Sequence, residues 1–515
     1  MTKIIAWTAG LGAAALLGLA AAPASAATSC SDLTSLKLPH VTITSATDVP
    51  ASMTSGGLQS IHPAYCKVLG TAKPTDDSDI RFEVAIPEGT AWNGRYLQVG
   101  NGGFAGTIPA PLITMGVSWG YATAGTDDGH QSTVGTDASW ALNHPEKQID
   151  FGYRALKETT DASKAVIAAF EGAQPKYSYF QGCSDGGREA LMEAERYPND
   201  FNGIVAGDPA NHWTHLLTMA GWNMQALAAP GAFIPPATMK AVQAEAIKQC
   251  GDETGVIENP LACHFDPSKI RCKDAAAADC LTDAQLGALK KIYGGARNPR
   301  THELILSGYS PGGEGEAGGW VTWITGPTAD SNAPLMKGFG PNFFRYIVFS
   351  DPKYDILTLN FDSDVAMTDK KFGKVFNSYD PDLSAFRKHG GKLIQYHGWA
   401  DPAIPPLDSV AYYNLVQHKM GPTSKFYRLF MVPGMLHCGG GPGPNSLATQ
   451  PAIRAWVEDG VAPKSLVATK FAGNRPGGVV ERSRPLCPFP SVAQWDGKGD
   501  KSKFDSFKCT VAKKG

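Results

Sequence analysis

The sequence predicts an α/β fold with a mainly parallel central sheet, interrupted by one large insertion. Three observations predict it. Short apolar runs alternate with stretches of helical periodicity from Arg95 to Ala206, the pattern that builds a parallel sheet with helices on both faces. The alternation stops near Asn211 and resumes near Asp382. The interval, roughly 170 residues, is long enough to be a domain of its own.

In chain order, Lys3 precedes an apolar, alanine-rich run from Ile4 to about Ala22, and Ala24-Ser25-Ala26 supplies a small-residue cleavage site. This reads as an export signal removed after Ala26 rather than as a retained membrane anchor. A secreted or periplasmic protein is expected, with no membrane association after cleavage, since no later stretch is long and apolar enough to span a bilayer. The expected organisation is therefore 1–26 signal peptide, 27–210 first part of the core, 211–381 lid domain and 382–515 second part of the core.

Arg95 to Val99 is a short strand run, followed by a loop, Gly100 to Gly106, too glycine-rich for a regular element. Tyr121 to Gly125 reads as a buried strand. From Asp150 to Glu171 apolar residues such as Phe151, Ala155, Leu156, Ala162 and Val166 recur at helical spacing. Tyr177 to Phe180 is a strand, Arg188 to Arg196 a helix, and Gly203 to Ala206 a strand. The stretch from Asn211 to Pro381 looks irregular, with four cysteines and aromatics at Trp320, Trp323, Phe343, Phe344 and Tyr346. Strands are expected again at Lys392 to Tyr396 and Phe426 to Val432, and helix from Pro451 to Val457.

Chemistry enters with Gly182-Cys183-Ser184-Asp185-Gly186, which matches Gly-x-Ser-x-Gly. Alone the match is weak in a glycine-rich chain, and a capped helix start would explain it. Its setting, after a strand and before a helix, is that of the nucleophile elbow of an α/β-hydrolase. A serine nucleophile needs a base and a group to orient that base, in the order Ser, Asp, His along this fold. Asp401 follows the strand ending at Tyr396, and His437 follows the strand ending at Val432. Asp408 competes for the acid role; His397 and His389 compete for the base, with His397 better read as packing beside the site. Asp185 N–H, with Gly102 or Gly103 from the glycine loop, would form the oxyanion hole.

The bulk properties exclude little but exclude it clearly. A formal net charge of -2 gives no electrostatic reason to expect nucleic acid. Ten cysteines in an exported chain read first as disulfides, and no pair has Cys-x-x-Cys spacing, so no metal site is expected. Cys183 precedes the candidate nucleophile and Cys438 follows the candidate base. A disulfide between them would clamp the two loops, worth about 5 kcal/mol in the chain-entropy picture; free thiols or other pairings are the alternative.

Gly182 to Gly187, Asp401 and His437-Cys438 together resemble the tannase and feruloyl esterase family, which also includes a bacterial mono(2-hydroxyethyl) terephthalate hydrolase. The resemblance implies an α/β-hydrolase core with a large lid, a Ser184–His437–Asp401 triad and the Cys183–Cys438 bridge. It further implies pairing of Cys30 with Cys66, Cys250 with Cys263, Cys272 with Cys280, and Cys487 with Cys509. Many members carry a calcium loop in the lid. Here the matching stretch holds Asp252, Glu253 and Glu258 but lacks the repeated Asp-Gly, so calcium is doubtful and no cofactor is expected to be required. The expected function is a serine carboxylesterase acting on small aromatic esters, feruloyl, hydroxycinnamoyl or galloyl, free or attached to plant polysaccharide or polyphenol. A terephthalate-type monoester hydrolase, a secreted serine peptidase and a non-catalytic binding module that has kept the fold are the rivals. Arg345 is a candidate partner for a substrate carboxylate or phenol, with a structural pairing as the safer reading.

Overall fold

Parallel strands buried on both faces read as largely apolar runs, and Ala122–Thr126 and Gly203–Gly207 are buried at every position. In the computed structural model, which describes residues 28–52, 61–273 and 277–511, these strands sit inside a nine-stranded sheet. Its strands are β1 (Val41–Val49), β2 (Tyr65–Ala72), β3 (Ile80–Pro87), β4 (Arg95–Val99), β5 (Ala122–Thr126), β6 (Tyr177–Cys183), β7 (Gly203–Gly207), β8 (Lys392–Gly398) and β9 (Tyr427–Val432). The spatial order is β1-β2-β3-β5-β4-β6-β7-β8-β9. The pairings from β5 through β4 to β9 are parallel, and β1, β2 and β3 add an antiparallel edge joined to β5. The proposed export signal lies outside the described residues, among which no helix is long and apolar enough to cross a membrane.

Successive residues of each parallel strand enter opposite cores, as the two-residue period of a strand requires. Tyr96, Phe180, Ile204, Leu393 and Leu429 pack on one face with helices α2 (Ala155–Glu171), α3 (Asp185–Arg196) and α5 (Pro406–Met420). Their neighbours Leu97, Tyr179, Val205, Ile394 and Phe430 pack on the other with α1 (Ala110–Ser118) and α6 (Thr449–Glu458). The Gly100–Gly106 loop, the turn after β6 and the segments after β8 and β9 all leave the carboxyl ends of the parallel strands, where ligand sites form in open α/β sheets.

The segment between β7 and β8 corrects the expectation of irregular chain from Asn211 to Pro381. It contains α4 (Trp213–Ala228) and further helices at Pro236–Cys250, Asp283–Gly294 and Ser363–Phe376. The first three share a core built on Met219, Ile234, Leu289 and Trp320, while Ser363–Phe376 packs through Phe372 and Phe376 against a second core with Phe151 and Phe343. Around α6 the chain forms a three-stranded sheet, Ser446–Leu447 before the helix pairing with Leu466–Phe471 after it and Val480–Leu486 beyond, and then a hairpin, Ser491–Trp495 with Phe507–Val511, both apart from the central sheet. All five cysteine pairs named above are disulfide-bonded, and no free cysteine is found among the described residues.

Candidate active site

Ser184 stands between β6 and α3 with φ 67° and ψ −122°, a left-handed conformation that side chains rarely adopt. Three glycines make the turn feasible. A Cβ at Gly182 would lie 2.2 Å from Gly186 O, one at Gly186 2.8 Å from Asn101 O, and one at Gly187 2.3 Å from Gly207 O. The chain therefore turns within less space than any side chain would leave, and Ser184 N–H is tied to Gly207 O at 3.0 Å. Ala105, Asp128, Asp208 and Cys438, in the surrounding loops, also have positive φ. Strain is concentrated here, where loops must hold fixed groups against their own preferences.

The three residues nominated by order along the chain meet. Ser184 Oγ is 2.8 Å from His437 Nε2, and His437 Nδ1 is 2.8 Å from Asp401 Oδ2. The other Asp401 oxygen accepts N–H bonds from Ala403 at 2.7 Å and Ile404 at 3.0 Å. Burial alone would raise the Asp401 carboxyl, but His437 and His397 beside it outweigh burial and hold it well below the usual range. Burial likewise opposes the charged form of His437, and Asp401 outweighs it, raising the imidazole above 6.5. The cystine between Cys183 and Cys438, with Cα atoms 6.0 Å apart, joins the two loops across a separation of 255 residues.

Asp408 and His389 are not part of this chain of contacts: Asp408 accepts from Tyr379 Oη at 3.0 Å. His397 lies behind Asp401. Its Nδ1 is 2.7 Å from Ser409 Oγ, and its Nε2 is 3.1 Å from Ile404 O and 3.3 Å from Asp401 Oδ2. A buried residue that sequence reasoning missed is Asp208, just past β7. It accepts N–H bonds from Gly398 and Cys438, one on each oxygen. Nothing in the sequence distinguishes it from an ordinary turn aspartate.

Ser184 and His437 open onto a cavity of about 80 Å³. Its walls are apolar: Trp213, Leu217, Trp323, Met336, Phe339 and Ile404 contribute most of them, and no lysine or arginine among the described residues lines it. The Trp323 ring stands edge-on to His437 at 4.9 Å between centroids. Of the aromatics singled out in the insertion, Trp323 alone lines the cavity. Trp320, Phe343 and Phe344 are interior to their own cores, and Arg345 donates to Tyr354 O at 2.9 Å. Trp213 and Phe339 were not singled out by sequence. Gly103 and Asp185 line the cavity, and Gly102 does not.

Asp252, Glu253 and Glu258, the acids of the stretch that matches the calcium loop, are each held by other groups of the protein. Asp252 Oδ1 accepts from Thr254 N, Thr254 Oγ1 and Val256 N within 3.2 Å, closing its own loop. Glu253 pairs with Lys501 at 2.6 Å, and Glu258 lies 3.7 Å from Arg484 Nε. Three carboxylates committed to different partners leave no convergent oxygen set.

With this geometry in hand, similarity to known proteins becomes informative. The profile of the family described as tannase and feruloyl esterase matches residues 66–510. An uncharacterized esterase of Xanthomonas campestris is 40% identical, over 97% of this chain and 94% of its own. A mono(2-hydroxyethyl) terephthalate hydrolase of Piscinibacter sakaiensis is 31% identical, over 90% of this chain and 87% of its own. The crystal structure of feruloyl esterase B from Aspergillus oryzae superposes with a TM-score of 0.83 at 26% identity, covering 93% of this chain and 99% of that one.

Proposed function

The chain belongs to the tannase and feruloyl esterase family of carboxylic ester hydrolases, and from that premise we propose that it cleaves uncharged aromatic acid esters through Ser184, His437 and Asp401. His437 takes the Ser184 proton as Oγ attacks the ester carbonyl carbon. Asp401 holds the imidazole by its Nδ1–H and stabilises the charge it acquires. The tetrahedral oxyanion is met by the backbone N–H groups of Asp185 and Gly103, neither of which makes a backbone hydrogen bond among the described residues. Collapse expels the alcohol with the proton from His437. Water, activated by the same imidazole, then releases the acid and restores Ser184.

The observation that carries the reading is the unbroken hydrogen-bond line from Asp401 to Ser184, ending in an apolar, aromatic cavity. A flat acyl ring gains by leaving water for walls such as Trp323 and Phe339. A carboxylate on that ring would be desolvated without a cation to meet it. Feruloyl and related hydroxycinnamoyl esters are thus favoured over terephthalate monoesters. Galloyl esters, with three phenolic hydroxyls to satisfy, are also less suited. The insertion acts as the lid that shapes this choice, and the leader and five cystines suit a secreted or periplasmic protein.

The test is a panel of methyl ferulate, methyl gallate and mono(2-hydroxyethyl) terephthalate compared by kcat/KM, with a fluorophosphonate probe to label the nucleophile. Label on Ser184 and preference for the ferulate support the proposal. Preference for the terephthalate monoester reverses the assignment of substrate, and label elsewhere reverses that of the nucleophile. A matched aryl amide turned over as fast as the ester would make the protein a peptidase.

A further inference from the structure

Helix α3, which begins just after Ser184, buries more charge than the proposed reaction uses. Asp185, Arg188 and Glu189 on this helix, and Asp128 just past β5, are all shut off from solvent. Arg188 spends its donors on Asp185 Oδ1 at 2.5 Å, Gly152 O at 2.8 Å and Phe151 O at 3.0 Å. Three carboxyl groups thus face one guanidinium, already committed to one of them. Oxygens of Asp128, Asp185 and Glu189 lie within 4.8 Å of one another. Asp128 Oδ1, Asp185 Oδ2 and Glu189 Oε1 receive no hydrogen bond among the described residues. Like charges this near in a dry interior cannot all persist. A proton retained on one carboxyl supplies an O–H to the next, which removes the repulsion and gives the orphaned oxygens a partner.

The same groups grip the glycine loop. Asn101 N–H donates to Glu189 Oε2 at 3.1 Å, and its side-chain amide donates to Asp128 Oδ2 at 3.3 Å and Thr126 O at 2.6 Å. Asn101 O accepts from Gly186 N–H at 2.9 Å, which ties the loop to α3. Gly103 follows two residues later with φ 63°, in a space where a Cβ would lie 2.4 Å from Gly135 O. Asn101 thus anchors the chain two residues before the Gly103 N–H.

We propose that Asp128 and Glu189 are positioning residues for ester cleavage: a carboxyl pair that keeps a proton between its members and, through Asn101, fixes the Gly103 N–H that meets the oxyanion. The proposal rests on the triad reading above. Burial and neighbouring carboxylates push Asp128 well above the ordinary range and Glu189 up to about 7. The charged groups facing the pair are Asp185 and Arg188, with Glu193 one turn further along α3. On neighbouring elements, Asp127 is bound by Gln131 and Asp150 by Arg154, while His130 stacks on Trp140 at 3.8 Å and is held neutral by burial. Loss of the shared proton at alkaline pH sets two anions against each other beneath the loop.

The experiment compares the pH dependence of kcat for methyl ferulate in wild type, Glu189→Gln, Asp128→Asn and Glu189→Leu. An amide keeps a permanent donor where the carboxyl holds its proton. Both amide variants should keep kcat within about threefold near neutrality, with the alkaline limb moved upward by at least about one pH unit. Glu189→Leu, which removes the acceptor for Asn101 N–H, should lower kcat about tenfold or more with KM within about twofold, as loss of oxyanion alignment does. Amide variants with an unmoved limb, or with losses matching the leucine variant despite native circular dichroism, would overturn the proposal. So would one tightly held divalent metal per wild-type chain that is lost in Glu189→Gln. If wild-type Ser184 takes no fluorophosphonate label, the triad reading falls and this proposal falls with it.

Discussion

The carboxylate of Asp208 accepts the backbone N–H of Cys438 at 3.2 Å, across 230 residues of chain. Its other oxygen accepts Gly398 N–H at 2.7 Å. One side chain thus fixes the start of the segment bearing Asp401 and the residue after His437. An amide cannot accept on both ends, so above pH 7, where the carboxyl is ionised, Asp208→Asn should reduce kcat by about tenfold or more, nearly as much as Asp208→Ala. Burial pushes this carboxyl up to about 7, far above an unfolded aspartate. The native state then binds a proton that the unfolded chain releases, so this group makes stability fall as pH rises from about 4 to 7. Thermal melts at pH 5 and pH 7 should show that slope lessened in Asp208→Asn.

Ser184 is held at φ 67°. Ser184→Ala should lower kcat by about 10⁶-fold, in line with removal of other serine nucleophiles, while leaving the melting temperature near that of wild type. Ser184→Gly should be equally inactive yet more stable by about 1 kcal/mol, because glycine adopts this backbone without strain. A glycine variant no more stable than the alanine variant would show that the turn stores no strain.

His437 must be neutral to accept a proton, and Asp401 raises its pKa above 6.5. The acid limb of kcat/KM should therefore lie above pH 6.5 and move down in Asp401→Asn, where the stabilising charge is gone. That variant should also lose about 10⁴-fold in kcat, through the wrong imidazole tautomer. A pH–rate profile of both proteins decides it; an unmoved limb would assign the titration to another group.

Trp323 stands against both His437 and the cavity. Trp323→Ala should raise KM for methyl ferulate about tenfold, the loss expected for one aromatic wall. A short acetate ester, with no ring to pack on that wall, should be affected much less. Equal losses on both substrates would make Trp323 a support for His437 rather than a wall of the acyl site.

Because Asp252, Glu253 and Glu258 are bound to protein partners, chelation should leave the melting temperature unchanged. A fall of several degrees in EDTA, restored by calcium, would overturn that reading.

What could be read in the sequence follows from how local each signal is. Ser184 announces itself by the glycines its turn needs, and Asp401 and His437 by standing just after strands whose apolar runs are unmistakable. The parallel strands were legible because burial on both faces favours apolar runs, with Gln98 and Gln395 as buried exceptions. Helix α4 was not, since it is walled by the core along Trp213, Leu217 and Ala220 and by the cavity as well, which erases the one-sided periodicity of a surface helix. Strand β1, at the sheet's edge, mixes exposed and buried positions and gives a weak pattern. Asp208, Trp213 and Phe339 owe their places to tertiary contacts alone. No local rule separates Trp323, in the cavity wall, from Trp320, three residues away in a core.

The bond from Cys183 to Cys438 carries a temporal corollary. Ribosomes deliver the serine of the proposed triad first, and the histidine proposed as its base is encoded 253 residues downstream. A nascent chain holding only the elbow has nothing to accept its proton, and a finished chain still in a reducing compartment lacks the strap between the halves. Competence to cut esters should thus appear last, after synthesis and oxidation are both complete, sparing the producing cell an active hydrolase during manufacture.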